Sequence, residues 1–168
     1  MKKAARAIIF NKGKILVMHR NKYGSEYFTL VGGRLGDNES LEQALAREVK
    51  EETGLDITNS RLVFVEDHVE PYNKQYIFLC EVAPFESVNI QDSSEESFLN
   101  RLNANIHKPV WCDPAGFARL QFRTPQLHQA ILLALTNGFP KEPQTLKDEP
   151  QTQIKKSISG RIRRHLPF

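Results

Sequence analysis

Apolar residues recur along the first third of the chain in two rhythms. Ala4 to Phe10 and Ile15 to Arg20 are short runs rich in aliphatic side chains on either side of Asn11-Lys12-Gly13-Lys14, a pattern that predicts a β-hairpin. Tyr27 to Val31 is a third short apolar run, and Gly32-Gly33 after it lets the backbone turn sharply and approach a ligand closely. From Leu41 the rhythm changes. Leu41, Ala44, Leu45 and Val49 fall at helical spacing, Asn38-Glu39-Ser40 offers capping side chains and Gly54 a left-handed terminator, which predicts a helix from about Ser40 to Thr53.

The extended rhythm then returns. Arg61 to Glu66 and Gln75 to Val82 read as strands joined through a turn at Pro71-Tyr72-Asn73-Lys74. Residues 86–96 are polar and acidic, Phe98 to Ile106 fits neither rhythm, and Lys108 to Cys112 is a further short strand. Thr124 is placed to cap an apolar helix through Ala134, which Gly138-Phe139-Pro140 ends. Strands alternating with two good helices predict an α/β layered domain over residues 1–138. Residues 139–168 read as a polar, basic and mobile tail.

Within the first helix the charges are oddly placed. At about 100° per residue from Leu41, Leu45 sits near +40° and Val49 near +80°, while Glu48 and Glu52 fall near −20° and +20°, with Glu51 beside them near −80°. Two glutamates therefore share the direction of the apolar stripe. Carboxylates on adjacent turns stand roughly 5–6 Å apart at Cβ and repel by about 3 kcal/mol at an effective dielectric near 20. Glu51 and Glu52 also occupy the last turn, where the helix dipole disfavours negative charge. A divalent cation would reverse both effects, whereas a solvated helix with Arg47 and Lys50 as neutralising partners is the alternative.

Gly33, Glu39 and the run Arg47-Glu48-Val49-Lys50-Glu51-Glu52-Thr53-Gly54-Leu55 fit, without a gap, the pattern Gx5Ex7REUxEExGU, where U is bulky and apolar. In this the chain resembles the Nudix hydrolase family of MutT-like enzymes. Two positions depart from the usual family sequence: Val31 stands where a proline commonly precedes Gly-Gly, and Asn38 where a glycine commonly precedes the glutamate. The resemblance implies a Nudix fold, a mixed β-sheet sandwiched between α-helices, and hydrolysis of a diphosphate linkage in a nucleoside diphosphate joined to another moiety. It implies Glu48, Glu51 and Glu52 as ligands of Mg²⁺ or Mn²⁺, the Gly33 carbonyl as a further ligand, Arg47 as their orienting partner and Glu39 in support. Glu48 is one candidate for the general base, and the acidic group Asp92, Glu95 and Glu96 is where many relatives place another ligand or base.

Arg20, at the end of the second strand, and Arg34, next to the Gly-Gly pair, are candidate phosphate-binding residues. Tyr23, Phe28, Tyr72 and Trp111 could stack a base, although aromatics at strand spacing are more often core. Pro71 stands where some ADP-ribose hydrolases of the family carry a proline, while Tyr72 resembles a tyrosine of some dinucleoside polyphosphate hydrolases. The compact chain favours a nucleoside triphosphate or related small nucleotide, with ADP-ribose or a dinucleoside polyphosphate as the alternative. A Nudix-fold sensor that binds a nucleotide without cleaving it is the contrasting class.

Charge and composition add little to this. Of a formal net charge of +3, the five cations of residues 154–168 supply more than the whole, leaving residues 1–153 at −2. The basic tail could meet nucleic acid, an anionic membrane or the domain's own acidic face. Cys80 and Cys112 lack metal or disulfide spacing, the N-terminus lacks a secretory pattern, and no apolar run is long enough to span a membrane. These features lead us to expect a cytoplasmic protein, and a homodimer is compatible with them.

Overall fold

The computed structural model describes residues 2–67, 74–91, 97, 100 and 105–147. Eight strands run in chain order as β1 (Ala4–Asn11), β2 (Lys14–Lys22), β3 (Ser25–Thr29), β4 (Val31–Arg34), β5 (Ile57–Asp67), β6 (Gln75–Val82), β7 (Asn105–Cys112) and β8 (Gln144–Lys147). The helices are α1 (Leu41–Thr53), α2 (Pro114–Ala118) and α3 (Pro125–Asn137). The sheet order is β3-β2-β1-β6-β5-β8, with β4 also paired to β1 and β7 to β2. It is mixed, because β1 runs parallel to β6 and β5 parallel to β8 while the other pairs are antiparallel.

Side chains alternate across β1 and divide the core into two layers. Ala5, Ala7 and Ile9 join Leu16, Met18, Val31 and Phe78 against Ala44, Leu45 and Val49 of α1. Ile8 joins Ile15, Val17, Phe64 and Ile77 against Phe117 of α2 and Leu127, Ile131 and Ala134 of α3. The sheet thus lies between helices on both faces, the expected α/β arrangement.

Several details differ from the sequence-based expectation. Gly32-Gly33 is not a turn; both residues lie in β4, opposite Arg6 and Ala5 of β1. Gly32 has φ +125°, and a Cβ there would strike the Ala5 carbonyl oxygen, so glycine serves close strand approach rather than chain reversal. The run Tyr27 to Val31 is accordingly split between β3 and β4, with Leu30 between them. The β1–β2 hairpin pairs only at Phe10–Ile15 and Asn11–Lys14 before the strands part, since β4 occupies the edge of β1 from Ala4 to Ala7. Thr124 precedes α3 in extended conformation but makes no side-chain cap; Pro125 opens that helix instead.

Part of the segment assigned to the tail is built into the sheet. Phe139 packs its ring 5.9 Å from Phe10 and 6.3 Å from Phe64, the Arg61 guanidinium donates to the Pro140 carbonyl, and Gln144–Lys147 pairs with Phe64–Asp67. Residues 148–168 lie outside the described residues, as do Pro71, Tyr72, Asp92, Glu95 and Glu96.

Candidate active site

Helix α1 begins with a reciprocal cap. The Ser40 hydroxyl accepts from the Gln43 N–H at 3.1 Å, and the Gln43 side chain accepts from the Ser40 N–H at 2.8 Å. Gly54, at φ 77°, ends the helix and donates its N–H to the Lys50 carbonyl at 2.9 Å. Between these caps Glu48 and Glu52 are buried along with Leu45 and Val49, where the helical spacing puts them.

Two glycines receive the two carboxylates. The Gly32 N–H donates to Glu52 Oε2 at 2.7 Å. Its carbonyl accepts from Arg6, which also donates from Nε to Gln75 Oε1 at 2.9 Å. Burial pulls the Arg6 pKa below its ordinary value, the Glu52 and Glu48 charges oppose that, and the positive charges of Arg20 and Arg123 reinforce it. A Cβ on Gly33 would lie 2.5 Å from each oxygen of Glu48, so this carboxylate rests on backbone that only glycine leaves open.

Arg47 ties the cluster to the preceding loop. Its Nε and Nη2 reach the two Glu39 oxygens at 2.8 and 3.0 Å, Nη1 reaches Glu48 at 2.9 Å and Glu51 at 3.3 Å, and Nη2 also donates to the Arg34 carbonyl at 3.1 Å. These bonds raise the Arg47 pKa further above its already high value, the pairing with Glu39 contributing most. Glu39 accepts in addition from the Gly36 N–H at 2.7 Å, and the Arg47 bond followed by that one brings its pKa down to about 2. Asn38, in the loop, has φ 61°, the left-handed geometry that asparagine tolerates in place of glycine.

The donors of this cluster are all oxygens, which suit a hard divalent cation rather than a soft one. Among the described residues no three His, Cys, Asp or Glu side chains form a ready cage for an ion. Glu48 and Glu51 face Arg47, and Glu52 faces Gly32. The recess at Gly33 nevertheless fits the requirement in its chemistry, because the Glu48 carboxylate, a hard oxygen donor, lies directly against that residue.

Of the candidate phosphate-binding residues, Arg34 is exposed at the end of β4, and half-buried Arg20 lies with its guanidinium carbon 5.9 Å from the Tyr27 ring centroid. His107, which faces Arg20 in the β2–β7 register, is buried, and burial followed by the Arg20 charge lowers its pKa to about 4. Sequence reasoning missed Arg6 and Arg123. A single cation inside the run Ala4 to Phe10 was the available signal for Arg6; Arg123 had none.

A family model described as the NUDIX domain matches residues 1–133. An NAD-capped RNA hydrolase NudC of Vibrio atlanticus is 37% identical over 73 residues, covering 44% of this chain and 27% of that protein. An 8-oxo-dGTP diphosphatase of Proteus vulgaris is 44% identical over 45 residues, covering 27% of this chain and 40% of that protein. The matches thus span between about a quarter and two fifths of these relatives' lengths. A structure from a study of MutT of Aliivibrio salmonicida and Vibrio cholerae superposes with a TM-score of 0.60 at 19% identity, covering 82% of this chain and 98% of that one. Nudix enzymes are pyrophosphohydrolases and generally use divalent metal ions. No helix among the described residues is long and apolar enough to cross a membrane. The NUDIX match takes in both faces of the sheet and every residue of the carboxylate cluster, and the chain belongs to the Nudix hydrolase family.

Proposed function

We propose that this chain hydrolyses a diphosphate linkage within a nucleotide, with Mg²⁺ or Mn²⁺ held by Glu48, Glu51, Glu52 and the Gly33 carbonyl. The observation that carries the reading is the burial of Glu48 and Glu52 against Gly33 and Gly32 on the helix that also carries Glu51, which gathers hard oxygen donors at one place. The metal, when bound, supplies charge neutralisation at the phosphates and a more acidic water. Arg47 keeps Glu48 and Glu51 in place before the metal arrives and ties them to the loop through Glu39. Glu48, buried beside Gly33, is a candidate to take the proton of the attacking water. Arg20 and Arg34 are the candidate anchors for substrate phosphates.

A nucleoside triphosphate or similar small nucleotide is the first reading, supported by the likeness to an 8-oxo-dGTP diphosphatase. The likeness to NAD-capped RNA hydrolases favours a second, in which the diphosphate joins two nucleosides. Incubating the full chain with a panel of nucleotides and Mg²⁺, then scoring phosphate, pyrophosphate and nucleoside monophosphate release, tests both. Turnover should vanish in excess chelator and return with Mg²⁺ or Mn²⁺; undiminished turnover in chelator would refute the metal assignment.

A further inference from the structure

The β2–β3 hairpin carries an open cavity of about 340 Å³ lined by Lys22, Tyr23, Ser25, Tyr27 and Arg123. Its walls come from distant parts of the chain. Arg123 is brought there by the loop between α2 and α3, whose main chain is bonded to β3: the Phe28 N–H donates to the Gln121 carbonyl and the Arg123 N–H to the Phe28 carbonyl, each at 2.9 Å. The Arg123 guanidinium carbon then stands 5.4 Å from the Tyr27 ring centroid, with Nη1 3.4 Å from the phenol oxygen. The same ring has the Arg20 guanidinium carbon at 5.9 Å. Tyr23, at the hairpin tip, is 82% exposed.

The charge of this cavity is one-sided. Lys22 and Arg123 line it and Arg20 adjoins its Tyr27 wall, while no carboxylate is among the lining residues. Glu26 alternates to the other face of β3, where it meets His19 at 3.6 Å and Asn21 at 3.4 Å. Lys22 and Arg123 on the cavity wall give it the sign of charge that suits an anion. Across the Tyr27 ring the cavity adjoins Arg20, the candidate phosphate anchor of the proposed hydrolytic site. Guanidinium groups fixed against an aromatic ring keep their forked donors pre-oriented, which suits a phosphate better than a neutral base.

We propose that the Lys22–Tyr27–Arg123 cavity is a phosphate-binding subsite for the part of the substrate beyond the scissile diphosphate, so that the preferred nucleotide carries a further phosphate ester. Arg123 and Lys22 hold the ester, and Tyr27 is the floor that fixes Arg123. The inference rests on the hydrolytic reading above and narrows its substrate class. A terminal monoester on a sugar and the first diester of a polynucleotide present the same chemistry to these cations.

The test uses the full chain with Mg²⁺ and three substrates that share one scissile linkage. They are a dinucleotide joined through a diphosphate, the same dinucleotide with an added ribose phosphate, and one whose far nucleoside continues into a short oligoribonucleotide. The wild-type kcat/KM should be about 10-fold higher for at least one phosphate-bearing substrate than for the first, through a lower KM. Which of the two gains tells monoester from diester. Arg123→Gln and, independently, Lys22→Gln should bring that ratio towards 1, and Arg123→Lys should keep part of it. Cleavage with no preference in the wild type, or with the preference intact in both glutamine variants, would overturn the subsite. Failure to cleave any of the three or any nucleotide of the earlier panel would overturn the hydrolytic reading, and the subsite with it.

Discussion

Glu52 meets two demands with one carboxylate: it accepts the Gly32 N–H at 2.7 Å and holds a negative charge in a buried position. Glu52→Gln separates them, because the amide can still accept that hydrogen bond but carries no charge for a metal. We expect kcat with saturating Mg²⁺ to fall by about 100-fold or more while the metal-free melting temperature holds or rises; near-normal kcat would remove Glu52 from the ligand set. Gly33→Ala should be more damaging than its size suggests, since the new methyl group would occupy the place of the Glu48 carboxylate. Activity and metal affinity would drop together, and normal Mg²⁺ binding in that variant would count against the recess. The burial of Glu48 and Glu52 was legible from the helical wheel, as three or four residues of spacing suffice to place a side chain. Arg123 was not, because its partner Tyr27 lies 96 residues away and the loop's position depends on main-chain bonds to β3.

Elements show the same division between local and distant causes. Both ends of α1 follow from residues inside or next to it, the Ser40–Gln43 pair and Gly54, so its limits could be read directly. Ser40→Ala should cost about 1 kcal/mol, seen as a melting temperature lower by roughly 2–4 °C. An unchanged melting temperature would mean that packing alone fixes the helix start. The Gly32-Gly33 segment misled because two glycines signal chain reversal locally, whereas β1 supplies an extended partner that recruits them as a strand. β8 is harder still to foresee: Gln144-Thr145-Leu146-Lys147 has a single apolar residue, and its pairing with β5 spans about eighty positions. A cut after Lys147 should therefore leave kcat/KM for a free nucleotide within a few fold. A cut after Pro140 removes an edge strand and should lower the melting temperature by several degrees; equal stability of the two truncations would show that β8 contributes nothing.

For the molecule as a whole, buried His107 adds an acid-sensitive contribution to stability. Its imidazole takes a proton near pH 6.5 when unfolded and near pH 4 when folded, so the folded state binds fewer protons between those values. Stability should be full above about pH 6.5 and decline as pH falls towards 4, and His107→Gln should flatten that part of the profile. The same slope in both proteins would exclude His107 as its source. The order of strands has a further effect during synthesis. β1 leaves the ribosome before the other strands described yet sits inside the sheet, and its parallel partner β6 begins only at Gln75. Until residue 82 has emerged, the aliphatic face from Ala4 to Ile9 and the buried glutamates of α1 share a chain that cannot yet enclose either. At roughly 5–20 residues per second that interval lasts several seconds, long enough for protease or chaperone to meet it. Nascent chains arrested short of β6 should be cut readily within β1, and those arrested after β8 has cleared the exit should resist.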